Sequence, residues 1–464
     1  MPELPEVETV RSVLEPRLVG RKFINIEVLY ERMIHSSIES LSLITNQEIT
    51  SIERIGKYLI FKFANGYALL SHLRMEGKYY FYDNEEENSR FARVIFYLDN
   101  NQKVCYDDSR KFGVMKVVES SKIKEDKWIS VLGPEPMDIL DSSTLFIKAS
   151  KSSKPIKTLL LDQSFMSGLG NIYVDETLFL AGIHPLRSAN TLLKDDWENI
   201  LQSAKSTLLK AIKLGGSTIK SYHASREVSG LFQEELLVYG KKGEPCPRCK
   251  TPLKKIVVGG RGTTYCPKCQ KLTSKTVIGL TGAIGSGKST ALNILKELGS
   301  DAISSDEVVS QLYKDKNVLK SLESLLNIKL ISENGEFLKE NLRELLASDP
   351  SKKDTLEKFI HPLVKQRLIS FINKSKKDVI VLEIPLLFEA NFEDLCNITI
   401  AIKISNENQY RNLIKRNQKD IERMLKMNYL GEQYPYANEV TYYLDSKNDK
   451  ELLKQLIEEI FKKL

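Results

Sequence analysis

The chain has 464 residues, 42% hydrophobic and 28% charged, with a formal net charge of +7. That is too long for one ordinary core and too apolar for a disordered chain, so roughly two to four globular domains are expected. No apolar run is long enough to cross a bilayer and no basic-then-apolar leader opens the chain, which points to the cytoplasm and to no membrane partner.

The charge is unevenly placed. Residues 1–240 hold 30 basic and 32 acidic side chains, and residues 277–464 hold 28 of each. Residues 241–276 hold ten basic ones (Lys241, Lys242, Arg248, Lys250, Lys254, Lys255, Arg261, Lys268, Lys271, Lys275) against Glu244 alone, a net of +9. So dense a block is the electrostatic footprint of a polyanion, nucleic acid first, with a solvated surface as the plain alternative.

The chain begins Met1-Pro2-Glu3-Leu4-Pro5-Glu6. Removal of the initiator methionine leaves Pro2 with a secondary amine. An α-amino group has a pKa near ~8 against ~10.4 for lysine, so its neutral, nucleophilic form costs about 3 kcal/mol less at neutral pH. Such an amine attacking a sugar C1′ gives an iminium, an electron sink that allows elimination. Glu3 beside it is placed to move protons. A bare Pro-Glu near a start carries no weight alone; its context decides.

Residues 22–120 run as short apolar stretches broken by turn signals (FINIEVLY, KYLIFKF, YALLSHLRM, ARVIFYLD, KVCYDD, FGVMKVV), with Asn65-Gly66 as a tight hairpin connection. A mostly β domain over 1–125 is expected. From about Asp126 the spacing turns helical, with Leu159 to Leu161 leading into Phe165 and Trp197 followed by Leu201, Leu208 and Leu209. Glycines 168, 170, 182 and 215–216 punctuate this region, taken as a helical domain over 126–240.

Residues 241–271 contain Cys246, Cys249, Cys266 and Cys269, a C-x2-C-x16-C-x2-C spacing. Two Cys-x-x-Cys pairs on facing turns supply four thiolates for one tetrahedral zinc with no open position, so the site is structural. Cys105 and Cys396 are expected as buried thiols, and no disulfide framework is expected. Beyond 277, strands (VIGLT, VIVLEI, ITIAIKI) alternate with helices, the mark of an α/β domain with a parallel sheet. Gly282, Gly285, Ser286, Gly287, Lys288, Ser289 and Thr290 lie in a G-x4-G-K-S loop and the helix start that follows VIGLT. In that context backbone N–H groups cradle phosphates, Lys288 neutralises them and Ser289 ligates magnesium, so ATP with Mg2+ is expected.

The motifs PELPEVETV, ERIGKYLIF, SHLRMEGKY, DDSRKFG, LGPEP, SGLGNIYVDETLFLAGIHP, GGST and the finger occur in order. Over residues 1–271 this resembles the formamidopyrimidine-DNA glycosylase (8-oxoguanine glycosylase/AP lyase) family. The resemblance implies a β-sandwich, a helix–two-turn–helix motif and a zinc finger that bind damaged double-stranded DNA. It implies Pro2 as Schiff-base nucleophile with Glu3 as its acid/base partner. Lys57 would serve β-elimination and Arg261 δ-elimination. Met75, Arg110 and Phe112 would fill the gap left by a flipped base, and Asn171 would contact phosphate. Singly, Met75 and Phe112 also read as core residues and Lys57 as a strand-end lysine. Phe91 stands where the family has a DNA-contacting histidine, and the 222–232 loop departs from the usual glycine-rich form.

In the last region SSDEVV, FIHPLV, IPLLFE and QYRNLIKRN follow the phosphate loop, an order that resembles dephospho-CoA kinase over 277–464. This implies transfer of the ATP γ-phosphate to the 3′-hydroxyl of dephospho-CoA, with Asp306 near that hydroxyl. Arg411 and Arg416 would close over the phosphoryl group, or else sit on a solvated helix face. Ser304-Ser305, Glu383 and Asn428 depart from the family pattern.

The expected molecule is a monomeric, bifunctional enzyme: an oxidised-purine glycosylase with β,δ-lyase activity fused to a dephospho-CoA kinase. Two alternatives stay open, a DNA-binding module with a nucleotide switch and a glycosylase preferring oxidised pyrimidines.

Overall fold

The computed structural model describes residues 2–217, 230–332, 334–349, 351–415, 431–445 and 447–463. Arg416, Asn428 and most of the 222–232 loop lie outside the described residues. The chain forms two compact units, residues 1–271 and 272–464.

The first unit opens with a helix, Leu4–Leu18, that the sequence reading did not assign. Its apolar positions Val7, Val10, Leu14 and Leu18 follow helical spacing and are buried in the sandwich core, whereas Leu4 belongs to the core of the helical region. One helix thereby pins two cores together, with Pro2 and Glu3 at their junction. The sandwich has two four-stranded antiparallel sheets. One runs β1 (Phe23–Val28), β6 (Ala92–Leu98), β7 (Gln102–Asp107), β5 (Lys78–Asp83); the other runs β2 (Ile49–Ile55), β3 (Tyr58–Phe63), β4 (Tyr67–His72), β8 (Val114–Glu119). The inward faces meet in one core that includes Phe23, Phe61, Phe63, Phe96 and Tyr106. Gly66, at φ +83°, closes the β3–β4 hairpin, as the Asn-Gly pair requires.

The helical region packs Asn171–Ala181 and Lys194–Lys213 around Trp197, Tyr173 and Leu178. After it, β9 (Lys254–Val258) and β10 (Arg261–Tyr265) form an antiparallel hairpin through Gly259-Gly260, both at positive φ, the backbone that a two-residue turn demands.

The second unit is a five-stranded, wholly parallel sheet in the order β12 (Asp301–Ser304), β13 (Val379–Glu383), β11 (Thr276–Gly282), β14 (Ile398–Lys403), β15 (Tyr442–Asp445). Its first strand is central. Chain order therefore reverses beside β11, and ligands bind outside the carboxyl ends of strands at such a point. The helices Lys288–Glu297 and Lys450–Phe461 contribute Ile294, Leu295, Ile457 and Ile460 to its core.

Candidate active sites

The glycine-rich turn before Asn171 builds the first site. A Cβ on Gly170 would meet Glu3 Cδ at 2.3 Å, and one on Gly168 would meet Leu4 Cδ1 at 2.5 Å. Only glycine lets the turn dock on Glu3 and Leu4. Leu4 N–H donates to Gly168 O at 3.1 Å. The buried Glu3 carboxylate then accepts the backbone N–H groups of Ile172 at 2.9 Å and Tyr173 at 3.4 Å. It thus occupies the anion site at a helix N-terminus.

Burial dominates the electrostatics here. It raises the Glu3 pKa to about 7, with Lys57 opposing the shift and Glu6 adding to it. Burial likewise pushes the Lys57 ammonium below its usual range; Glu3 and Glu6 oppose that and Arg261 adds to it. Both groups are driven toward their neutral forms. Lys57 Nζ donates to Leu169 O at 2.7 Å, so the same glycine-rich turn holds both residues. Pro2 is buried and precedes Glu3 in the chain.

Glu6 is a centre that the sequence reading missed. One of its oxygens accepts Glu3 N–H at 2.8 Å; the other accepts Tyr173 O–H at 2.5 Å and Ser217 N–H and O–H at 2.8 and 3.0 Å. The Glu3–Glu6 spacing is that of a capping pair, the available signal. A second missed group carries Lys57. Arg54 makes a two-pronged ion pair with Glu135 at 2.6 and 2.8 Å and a third bond to Glu8 at 2.8 Å, while Glu135 also accepts Gly56 N–H at 2.7 Å. Gly56, at φ +58°, begins the β2–β3 turn that bears Lys57.

Arg261 is exposed at the start of β10, at the tip of the finger hairpin. The hairpin is tied to the Asn171–Ala181 helix from several directions. Asp175 pairs with Lys157 at 2.6 Å, both side chains fully buried, and its other oxygen accepts Thr264 N–H at 2.9 Å. Asn171 donates its amide to Gly262 O at 3.1 Å. Glu176 accepts three successive N–H groups, Leu237, Val238 and Tyr239, at 2.8–2.9 Å. Arg248 caps the far end of the helix through the carbonyls of Phe179 and Leu180 at 3.1 and 3.0 Å. The finger is thus an extension of this helix.

The sulfurs of Cys246, Cys249, Cys266 and Cys269 lie within 4.8 Å of one another, with Cys246–Cys269 at 3.9 Å and Cys249–Cys266 at 3.4 Å. Zinc–sulfur bonds of about 2.3 Å in a tetrahedron put sulfurs roughly 3.8 Å apart, so the set fits structural zinc. Among the described residues it is the one group of this kind.

Met75 is half-buried in the turn after β4, and Arg110 and Phe112 are exposed in the loop before β8. Asp108 shapes that loop by accepting the N–H groups of Arg110, Phe112 and Gly113 at 2.9, 2.9 and 2.7 Å. The Arg110 guanidinium lies 4.8 Å above the Phe112 ring. The Tyr106 hydroxyl meets both turns: a Cβ on Gly77 would come within 2.0 Å of it, and one on Gly113 within 1.9 Å. Phe112, 50% exposed, is not a core residue.

In the second unit a cavity of about 730 Å³ is lined by Gly282 to Ser289 together with Asp306. Lys288 Nζ donates to the Gly282 and Ala283 carbonyls at 2.9 and 3.0 Å. Gln409 and Asn412 brace the loop by donating to the Ile284 and Gly285 carbonyls, each at 2.9 Å. Arg411, on the same helix, is exposed and pairs with Glu407 at 2.5 Å, away from the residues that line the cavity. Thr290 lies inside the following helix and does not line it either.

Family models match both units. The formamidopyrimidine-DNA glycosylase N-terminal domain matches residues 1–115, its H2TH domain 132–223, and the zinc finger found in FPG and IleRS 243–272. The formamidopyrimidine-DNA glycosylase of Lactiplantibacillus plantarum is 43% identical over 265 residues, 57% of this chain and 97% of that protein. The chain belongs to the formamidopyrimidine-DNA glycosylase family. The Streptococcus mutans glycosylase is 44% identical over 269 residues, again 97% of its length. A Lactococcus lactis FPG mutant in complex with a Fapy-dG containing DNA superposes with a TM-score of 0.56 at 44% identity, covering 58% of this chain and 99% of that one. The Lactococcus lactis Fpg complex with an abasic site containing DNA gives 0.55 at 43%, covering 58% and 100%. A dephospho-CoA kinase model matches residues 276–438. The chain is therefore a glycosylase-family enzyme that carries a dephospho-CoA kinase domain.

Proposed function

We propose that the first unit excises oxidised purines from duplex DNA and cleaves the strand through a Pro2 Schiff base. Pro2 N bonds to C1′ as the glycosidic bond breaks and the base leaves with a proton. Loss of a C2′ proton from the iminium then expels the 3′ phosphate (β), and a second elimination expels the 5′ phosphate (δ). The observation that carries this is the buried Glu3 carboxylate, with a pKa near 7, held one residue from Pro2 and beside a depressed Lys57. A carboxyl poised near the working pH can give and take the proton of the opening sugar. A lysine whose ammonium burial makes more acidic has more of its neutral amine available to take the C2′ proton. Arg261 is proposed for the δ step, Met75, Arg110 and Phe112 for the gap left by the flipped base, and Asn171 for phosphate. The zinc finger holds the Arg261 hairpin and takes no chemical part.

We assign the borders 1–125, 126–240, 241–271 and 277–464 to the sandwich, helical, finger and kinase domains. The kinase domain is proposed to phosphorylate the 3′-hydroxyl of dephospho-CoA. Gly282 to Ser289 would hold the ATP phosphates, Ser289 would offer its hydroxyl to Mg2+, and Asp306 would orient the acceptor hydroxyl. Support comes from the shared cavity of loop and Asp306. Arg411 and Arg416 are proposed as charges that close over the site.

Borohydride treatment with an 8-oxoguanine duplex, followed by intact-mass analysis, tests the lyase. The expected product is a protein–DNA adduct lacking Met1; a retained methionine or no adduct would falsify the Schiff-base assignment. A thymine-glycol duplex run alongside sets the lesion class, with faster 8-oxoguanine cleavage expected.

A further inference from the structure

The kinase cavity is lined by two sets of groups. One is the phosphate loop, with its backbone N–H groups and Lys288. The other is Lys353, Glu357 and His361 from the Ser351–Lys374 helix with Glu389 and Phe392 after β13. Glu357 has a cationic neighbour, Lys353, one helical turn away at 3.8 Å. His361 packs edge-on against Phe392. Glu389 has nothing. Both of its carboxylate oxygens are shielded from solvent, and neither has a hydrogen-bond partner among the described residues.

An unpaired buried carboxylate is costly, and its persistence calls for a ligand that supplies donors. Being an acceptor only, it repels phosphate and rewards N–H or O–H groups. Of the two proposed substrates, the triphosphate belongs at the loop. The acceptor brings a pyrophosphate at one end of its nucleoside, and neutral donors, a ribose 2′-hydroxyl and an adenine amine, on the nucleoside itself. We propose that Glu389 binds the acceptor nucleoside by accepting a hydrogen bond from one of those neutral donors, with the acceptor's pyrophosphate directed away from this carboxylate. Glu389 is then a specificity residue for the acceptor rather than for ATP. The sequence reading saw this glutamate only as the last letter of IPLLFE.

This inference rests on the kinase reading, and the test separates the two. Steady-state kinetics of the full chain with ATP and dephospho-CoA would be compared with those of Glu389→Gln, which keeps the volume and removes the charge. The expected result is an acceptor KM raised about tenfold, the scale of one hydrogen bond to a charged group, with the ATP KM unchanged. The 2′-deoxy and inosine analogues of the acceptor identify the donor. The one lacking it should lose a similar factor with the native chain and nothing further with the variant. Should native protein phosphorylate dephospho-CoA and Glu389→Gln leave the acceptor KM unaltered, or raise the ATP KM equally, Glu389 is not the acceptor anchor. Should native protein leave dephospho-CoA untouched, the kinase reading falls first and this assignment with it.

Discussion

The two sites differ in how far the protein completes them by itself. In the first unit every central charge has partners: Glu3 has a helix N-terminus, Glu6 accepts four hydrogen bonds, and Lys57 has a carbonyl. In the second, Lys288 is turned onto the carbonyls of its own loop, Ser286 Oγ is buried without a partner among the described residues, and Glu389 is unsatisfied. The contrast teaches where order comes from. On the proposed function, a site that attacks a sugar hidden in duplex DNA would be preorganised, so that little is rearranged in the reaction. A proposed site for two small polar substrates would leave donors and acceptors for them to fill.

The sharpest way to break the comparison is Glu3→Gln. Base release should fall by about 10²–10⁴, the usual range for a lost acid/base, with kinase turnover intact; 8-oxoguanine release reads it. Loss of kinase turnover as well would mean that the units are not chemically independent. Lys288→Ala should cut kinase turnover by about 10²–10³, as removal of one transition-state charge does, and leave strand cleavage alone.

Lys157→Ala attacks the preorganised side through stability. It strands the Asp175 carboxylate, whose pKa burial already pushes up to about 6 against the pull of Lys157. Breaking such a pair costs about 3–5 kcal/mol, to be seen as a lower midpoint in denaturant for the first unit, with the kinase transition unmoved.

The smallest effect sharpens the electrostatic reading. Glu3 binds its proton more tightly folded (pKa about 7) than at its ordinary carboxyl value of 4.5 in the unfolded chain. Between those values the native state holds more protons than the unfolded one, so stability falls as pH rises through the window. Glu3→Gln cannot titrate. Its stability, followed by thermal midpoints, should gain on the native chain from pH 5 to 8, by at most about 3 kcal/mol at the top of the window. Parallel curves for the two proteins would mean that Glu3 is not shifted.

Much of this was legible in one dimension. Contiguous signals survive without a fold: the cysteine pairs, the phosphate loop, the apolar runs of β1, β3, β4, β6, β7 and β8, and the helical spacing around Trp197. The opening helix was legible too, in the helical spacing of Val7, Val10, Leu14 and Leu18. The partners across long separations were hidden. Glu3 with Ile172, Glu6 with Ser217, Arg54 with Glu135 and Lys157 with Asp175 are joined by folding, and nothing in their spacing announces it.

The sequence alone determined which chemical groups this protein owns, because the Pro2-Glu3 pair, the thiols and the phosphate loop are properties of residue type and local backbone. Only the tertiary structure decided their state. Burial and long-range hydrogen bonds set whether Glu3 carries a proton near neutrality and whether Glu389 stands unsatisfied, since desolvation depends on everything packed around a charge and not on its neighbours in the chain.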